Sequence, residues 1–263
     1  MNMPRVVARE TLDHLAEDDP DAQRSRRDLQ RVHLAMGTRG ILLRALAGSN
    51  VRHTGTGVLR LLELGAGDGS LMLGVARQWE AQGKSLDRAQ GKAQWPLVEI
   101  TLLDRQRLVT PATLAAFAKV GWTATVQVVD VLDWALDALS QPEQGIFARW
   151  DAIVANLFIH HFEESQLAAL LAAIEARSNC FFACEPRRAR LALAGSHLIG
   201  AIGANSVTRE DAVLSVHAGF RGMEISALWP GQLKQWLLKE YSAGLFSHCF
   251  IAERAIFGQT VPS

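Results

Sequence analysis

The spacing of apolar positions changes character near residue 58. Residues 1–22 are polar and acidic, ending in the break Glu17-Asp18-Asp19-Pro20-Asp21. Residues 23–47 then place Leu29, Val32, His33 and Met36, and beyond Gly37 also Leu42, Leu43 and Leu46, on one face at helical spacing. Gly37 and Gly40 are expected to divide this segment into two helices, and Gly48 to Gly57 reads as a loop. From Val58 onward, short apolar runs alternate with helical patterns. The predicted strands are 58–64, 97–104, 123–130, 151–157 and 180–184, and the predicted helices are 69–80, 110–119, 132–139 and 164–177. Strands separated by helices of this length imply a parallel sheet with helices on both faces. The chain ends in two strand-like runs, Trp236 to Ser242 and Ser247 to Arg254, joined near Gly244. These predict a hairpin at the sheet edge with at least one antiparallel strand. Between the fifth strand and the hairpin, the interval 186–232 is too long for a simple crossover. It is expected to cover a site, with a helix capped by Thr208 and supported by Asp211. The organisation is therefore a helical cap over residues 1–50 and an α/β domain over 51–263.

In such sheets the functional residues follow the carboxyl ends of the strands. The first strand runs Leu61-Leu62-Glu63-Leu64 into Gly65-Ala66-Gly67-Asp68-Gly69-Ser70, and a helix follows at once. Glycine serves where φ is positive or where a ligand approaches the main chain. The helix start offers free N–H groups and a positive dipole end. A dinucleotide turn needs its third glycine at position 70, which is Ser70, so a nicotinamide cofactor is disfavoured. The second strand ends in Asp104, with Arg105 beside it, and a carboxylate there can accept both hydroxyls of a ribose. The interval from Glu63 to Asp104 is about twice the ~20 residues of a compact unit. Asp87 lies nearer that distance, but within Gln82 to Gln94, which reads as a surface insertion. After the third strand, Asp130 can accept from an adenine amino group while the Val131 N–H faces a ring nitrogen, with Trp134 close enough to stack; the alternative is that Asp130 or Asp133 only caps the helix beginning near Leu132.

The fourth strand runs into Asn156-Leu157-Phe158-Ile159-His160-His161-Phe162. Histidine exchanges protons near neutral pH, so His160 and His161 are candidates for a general base. No metal is expected there, because adjacent residues seldom converge on one ion and no third ligand is evident. His33 and Met36 are expected to face an acceptor pocket, and His197 and His217 are alternatives from the covering segment.

Composition narrows the partners. Among 263 residues, 27 basic and 27 acidic side chains leave no net charge, which excludes a broad basic surface for nucleic acid. The local clusters Arg24 to Arg31 and Arg187 to Arg190 lack interleaved aromatics. Three cysteines and no secretory pattern imply reduced thiols and a cytoplasmic location. No apolar run approaches the roughly 18–20 residues of a membrane span.

Taken in order, the segments over about residues 58–254 resemble the class I S-adenosylmethionine (SAM) dependent methyltransferases. The resemblance implies a Rossmann-like, seven-stranded, mostly parallel sheet with an antiparallel terminal strand. It assigns Glu63, Gly65, Ala66, Gly67, Asp104, Arg105, Asp130, Val131, Asn156 and Leu157 to the cofactor. The Asn-Leu-Phe-Ile-His-His-Phe string is similar to the small-molecule branch, which includes quinone and phenol methyltransferases. Glu185-Pro186-Arg187-Arg188 and Ala227-Leu228-Trp229-Pro230 are similar to bacterial members acting in aromatic polyketide or phenolic-lipid pathways. The implied reaction is O-methylation of a small phenolic, quinol or polyketide-type acceptor, assisted by a histidine. A SAM-binding cyclase or isomerase, or an N- or C-methyltransferase, would carry the same motifs. The edge hairpin is compatible with a homodimer.

Overall fold

The computed structural model describes residues 3–48, 57–90, 97–140, 149–231 and 235–255. Two helices come first, α1 (Pro20–Ala35) and α2 (Thr38–Gly48). The alternating part follows as β1 (Val58–Leu64), α3 (Ser70–Gln90), β2 (Leu97–Asp104), α4 (Pro111–Lys119), β3 (Trp122–Val128), α5 (Val131–Ser140), β4 (Ala152–Asn156), α6 (Glu164–Arg177) and β5 (Cys180–Pro186). The remainder is α7 (Arg190–Leu198), α8 (Ser206–Ala218), α9 (Glu224–Leu228), β6 (Trp236–Ala243) and β7 (Ser247–Arg254).

The seven strands form one sheet in the order β3-β2-β1-β4-β5-β7-β6. β1 to β5 run parallel, and β7 is antiparallel to both β5 and β6, so the expected terminal hairpin is present. β1 has β2 on one side and β4 on the other, so the chain reverses its direction of winding there. That reversal opens a crevice beyond the carboxyl ends of β1 and β4.

Alternation along the strands sends consecutive leucines to opposite layers. Leu59 and Leu61 of β1 join Met72, Val75 and Trp79 of α3 on one face. Leu62 and Leu64 join Ile153, Leu167 and Leu171 on the other. α2 belongs to the first layer: Leu42, Leu43 and Leu46 are buried in the same cluster as α3. Only α1 therefore lies over the crevice, and α2 fills the sheet layer beside α3.

Several boundaries differ from the sequence reading. α3 continues to Gln90 instead of stopping near 80. The sequence of its last turns carries no apolar periodicity, so the pattern alone ends the helix early. Position 87 is thus helical and follows no strand, while positions 91–94 of the supposed insertion, like 49–56 of the predicted loop, lie outside the described residues. α8 starts at Ser206 with Asn205 as its cap, whose side chain accepts from the Thr208 N–H at 2.8 Å. Asp211 does not support that cap. Its carboxylate accepts from the N–H groups of Thr11 and Leu12 at 2.8 and 2.9 Å. Among the described residues no helix is long and apolar enough to cross a membrane.

Candidate functional site

The turn after β1 has left-handed backbone at Gly65 (φ 67°), Gly67 (φ 56°) and Gly69 (φ 73°), the region glycine enters without strain. Its first N–H groups are already spent on the sheet. Ala66 donates to the Leu103 carbonyl at 3.0 Å, and Gly67 to Asp104 Oδ2 at 2.8 Å. The other Asp104 oxygen takes the Gln106 N–H at 2.9 Å, so this carboxylate braces two loops at once. A β-carbon on Gly65 would lie 2.2 Å from the Phe158 ring, which ties the first turn to the loop after β4. Asp68 joins the turn to the cap: Oδ1 accepts from Ser70 N at 3.0 Å, and Oδ2 from Gln30 Nε2 of α1 at 2.8 Å.

Behind the turn, two buried acceptors lack a partner. Glu63 is 3% exposed, and its Oε2 has no hydrogen bond among the described residues. Asn156, at the end of the neighbouring strand, is in the same state at Oδ1. Its Nδ2 donates instead to His33 Nε2 at 3.1 Å. His33 accepts because it is neutral: burial lowers its pKa to about 4, against the pull of Asp68. Burial raises the Glu63 pKa well above the carboxylate range, and the charges of Asp68 and Asp104 add to the effect. Bare buried acceptors are rare and costly, and a donor from a ligand resolves both here. Glu63, Asn156 and His33 line one cavity of about 820 Å³. Gly65, Ala66, Gly67, Asp104, Arg105, Val131 and Leu157 line it too. Asp130 borders it with one oxygen occupied by the Leu132 N–H at 2.8 Å, so it caps α5 as well as facing the space. Leu157 has φ 48°, the one non-glycine residue with positive φ among the described residues. Strain of this kind, costing about 1–3 kcal/mol, concentrates at functional sites.

The two histidines after β4 have different surroundings. His160 is buried, with Nδ1–H donating to Glu185 Oε2 at 2.7 Å and Nε2 lying 3.3 Å from Glu10 Oε1. Burial opposes its charge, but the hydrogen bonds and charges of Glu10 and Glu185 prevail and push its pKa up to about 9. His160 is therefore protonated at neutral pH as it stands and has no free nitrogen to accept a proton. His161 donates from Nδ1 to the Phe158 carbonyl at 2.8 Å, and its Nε2 lies 3.2 Å from Glu10 Oε2.

Glu10 comes from a segment in which no function was read. Residues 5–13 cross the mouth of the cavity, anchored on both sides. Arg5 donates to the carbonyls of His160 (3.0 Å), Phe162 (2.9 Å) and Ala218 (2.8 Å), and Val6 N to His217 O at 3.1 Å. Arg105 bonds Asp13 farther along. Glu10 also accepts from the Ser215 hydroxyl of α8. Glu185, at the end of β5, belongs to the Glu-Pro-Arg-Arg string and has a role the pattern does not assign: it is a wholly buried carboxylate that organises the loop after β4. Its one outward sign was an acid closing an apolar strand.

A second, apolar cleft of about 160 Å³ opens between α1, α7 and α8. Glu10, Leu12, Leu29, Leu157 and Ser215 line both spaces, so the two meet there. Met36 lines this cleft and not the larger cavity. His197 and His217 line neither. On α7 the cleft face is Ala192, Gly195 and Ser196, followed by Ile199 just past its end, which leaves His197 exposed on the other side. On α8 it is Asp211, Ala212, Ser215 and Val216, and His217 falls one step of about 100° beyond.

No family model matches the chain, and no curated protein matches it. Its backbone is similar to that of an O-methyltransferase family protein from Burkholderia thailandensis, with TM-score 0.53 and 14% identity over 93% of this chain and 61% of that one. It is also similar to the pyocyanin biosynthetic protein PhzM, with TM-score 0.52 and 14% identity over 94% and 62%. The chain shares the Rossmann-like, seven-stranded fold of these two proteins. It spans about three fifths of the length of these two relatives. In this fold the cavity beside the glycine turn lies over β1 and β4, where the strand order reverses, and the apolar cleft lies under the helices added after β5.

Proposed function

We propose that the protein transfers the methyl group of SAM to a small, largely apolar acceptor with an ionisable hydroxyl, of phenolic, quinol or polyketide type. The observation that carries this reading is the pair of bare acceptors, Glu63 Oε2 and Asn156 Oδ1, beside a glycine turn. A primary ammonium has the several donors they require. In this reading Glu63, Asn156 and the turn hold the amino-acid end of SAM. Asp104 receives the ribose hydroxyls, and Asp130 with the Val131 N–H receives the adenine. When bound, SAM supplies an activated methyl whose sulfonium departs as a neutral thioether. The protein's share is orientation and exclusion of water. Leu12, Leu29 and Leu157 form the apolar wall shared by the two spaces, and His161, Glu10 and Ser215 are the polar groups near their boundary. The hydroxyl proton leaves at that boundary; His160, with both nitrogens engaged, is a positioning residue.

Calorimetry with SAM, S-adenosylhomocysteine and NADH tests the cofactor, followed by mass spectrometry of phenols and quinols incubated with SAM. Binding of the first two in the micromolar range, no heat with NADH, and a product heavier by one methylene are expected. A folded protein that binds neither SAM nor S-adenosylhomocysteine overturns the reading.

Glu63 adds a pH signature. Its raised pKa means that the free protein holds more of this carboxyl protonated than an exposed glutamate would be. A bound ammonium lowers that pKa again and expels the proton. Binding therefore releases protons, and affinity rises with pH through the titration of Glu63. The measured heat should then vary with the ionisation enthalpy of the buffer. Glu63→Gln should abolish that variation and weaken binding by about 1.5–3 kcal/mol, roughly 10- to 150-fold. A variant with wild-type affinity and unchanged proton release would remove Glu63 from the site.

A further inference from the structure

Both histidines after β4 direct Nε2 at one carboxylate. Their Nδ1–H groups are committed elsewhere, at 2.7 Å to Glu185 for His160 and at 2.8 Å to the Phe158 carbonyl for His161. This is the usual arrangement of metal-binding imidazoles, in which a carboxylate or backbone carbonyl behind the ring fixes the tautomer. Glu10 supplies the third donor, and the three ligand atoms lie within 4.8 Å of one another. Its oxygens are 3.3 and 3.2 Å from the two Nε2 atoms. Donors on bonds of about 2.0–2.1 Å at the tetrahedral angle are about 3.3–3.4 Å apart, close to the separation of each Nε2 from its own nearest Glu10 oxygen. The Ser215 hydroxyl on Glu10 supplies the hydrogen bond that a ligating carboxylate commonly has. Asp13 Oδ2 stands 3.9 Å from His161 Nε2, a further carboxylate at the rim.

We propose that Glu10, His160 and His161 bind one divalent first-row transition-metal ion, which pins the segment over residues 5–13 across the cofactor cavity. Two imidazoles and one carboxylate suit Zn²⁺ and Co²⁺ and not the all-oxygen preference of Ca²⁺ or Mg²⁺. The ion's further role rests on the methyl-transfer reading: because Glu10 lines both spaces, the ion stands where the acceptor hydroxyl meets the cofactor and takes that oxygen as an additional ligand. The metal site itself does not depend on that reading.

The test uses the full chain, stripped with a chelator and titrated with Co²⁺ and Zn²⁺. One equivalent is expected to bind, Co²⁺ giving the visible bands of a low-symmetry site, and amide exchange over residues 5–13 slowing on binding. Glu10→Ala and His161→Ala should each weaken binding by about 100-fold or more, while His197→Ala, outside both cavities, leaves it unchanged. Melting curves and SAM calorimetry confirm that each variant is folded. No saturable binding to the wild type overturns the proposal, and so does equal affinity in wild type, Glu10→Ala and His161→Ala. SAM binding without metal binding sinks this proposal alone. Metal binding without SAM binding sinks only the methyl-transfer reading.

Discussion

Replacing Glu185 by Ala should cost about 3–5 kcal/mol of stability, the range seen when one partner of a buried charge pair is removed. Its carboxylate is fully buried and accepts from the N–H groups of Phe158 (3.1 Å), Ile159 (3.2 Å) and His160 (3.4 Å), besides the His160 ring. Truncation would leave these donors in a space too apolar to hydrate them all and would take one counter-charge from His160. For a domain of this size the loss corresponds to roughly 10 °C in the melting midpoint. Glu185→Gln keeps the volume and one acceptor oxygen, so it should lose markedly less. Thermal melting of the two variants beside the wild type decides the matter. A midpoint for Glu185→Ala within a degree or two of wild type would show that the loop after β4 is held by packing instead.

Gly65→Ala should separate binding from folding. The new methyl would meet the Phe158 ring at 2.2 Å on a backbone with φ 67°. The ring, flanked by Phe162 at 5.4 Å between centroids and by His161 at 6.3 Å, cannot move alone. Relief must come from the turn, whose displacement carries Ala66 and Gly67 off their sheet and Asp104 bonds. Losing a hydrogen bond to a charged group costs about 1.5–3 kcal/mol, on the order of 100-fold at the upper end. SAM affinity is therefore expected to fall about 100-fold. Gly67→Ala makes a useful contrast, since nothing stands within 4 Å of its β-carbon and only backbone strain is added. Calorimetric affinities that rank the two the other way round would show that the clash with Phe158 does not matter.

The scaffold was legible because β1, β2, β4 and β5 are largely apolar runs that lead into a glycine turn or a polar residue. Glu63, Asp104 and Asn156 could be located without coordinates, for the pleat leaves few ways to place the end of a strand. Glu10 was not legible. It lies in a stretch without periodicity, and its partner His160 is 150 positions away, a distance over which local pattern says nothing. The same holds for the histidines of the covering helices. Residue type marked His197 and His217 as candidates, but helical phase decides which side chains face a cleft, and it selected Ser215. Thr208 has a side chain that can cap a helix, but Asn205, three positions earlier, is the residue that does so. The choice between them was made by where the chain turned, together with the tie from Asp28 to the Asn205 N–H at 2.9 Å.

The anchors of Arg5 join positions 155 to 213 residues apart in the chain. Contacts of such long loop closure gain little until the rest of the domain is in place. The segment is also a thin layer, tied mainly by hydrogen bonds at its margins. Such layers belong to the low end of the local stability spectrum and detach without global unfolding. The wall of the cavity should thus be the last part to assemble and the first to open. A refolding experiment would see the sheet recover its amide protection before residues 5–13 do, and the lag would measure how long the nascent site stands open to solvent.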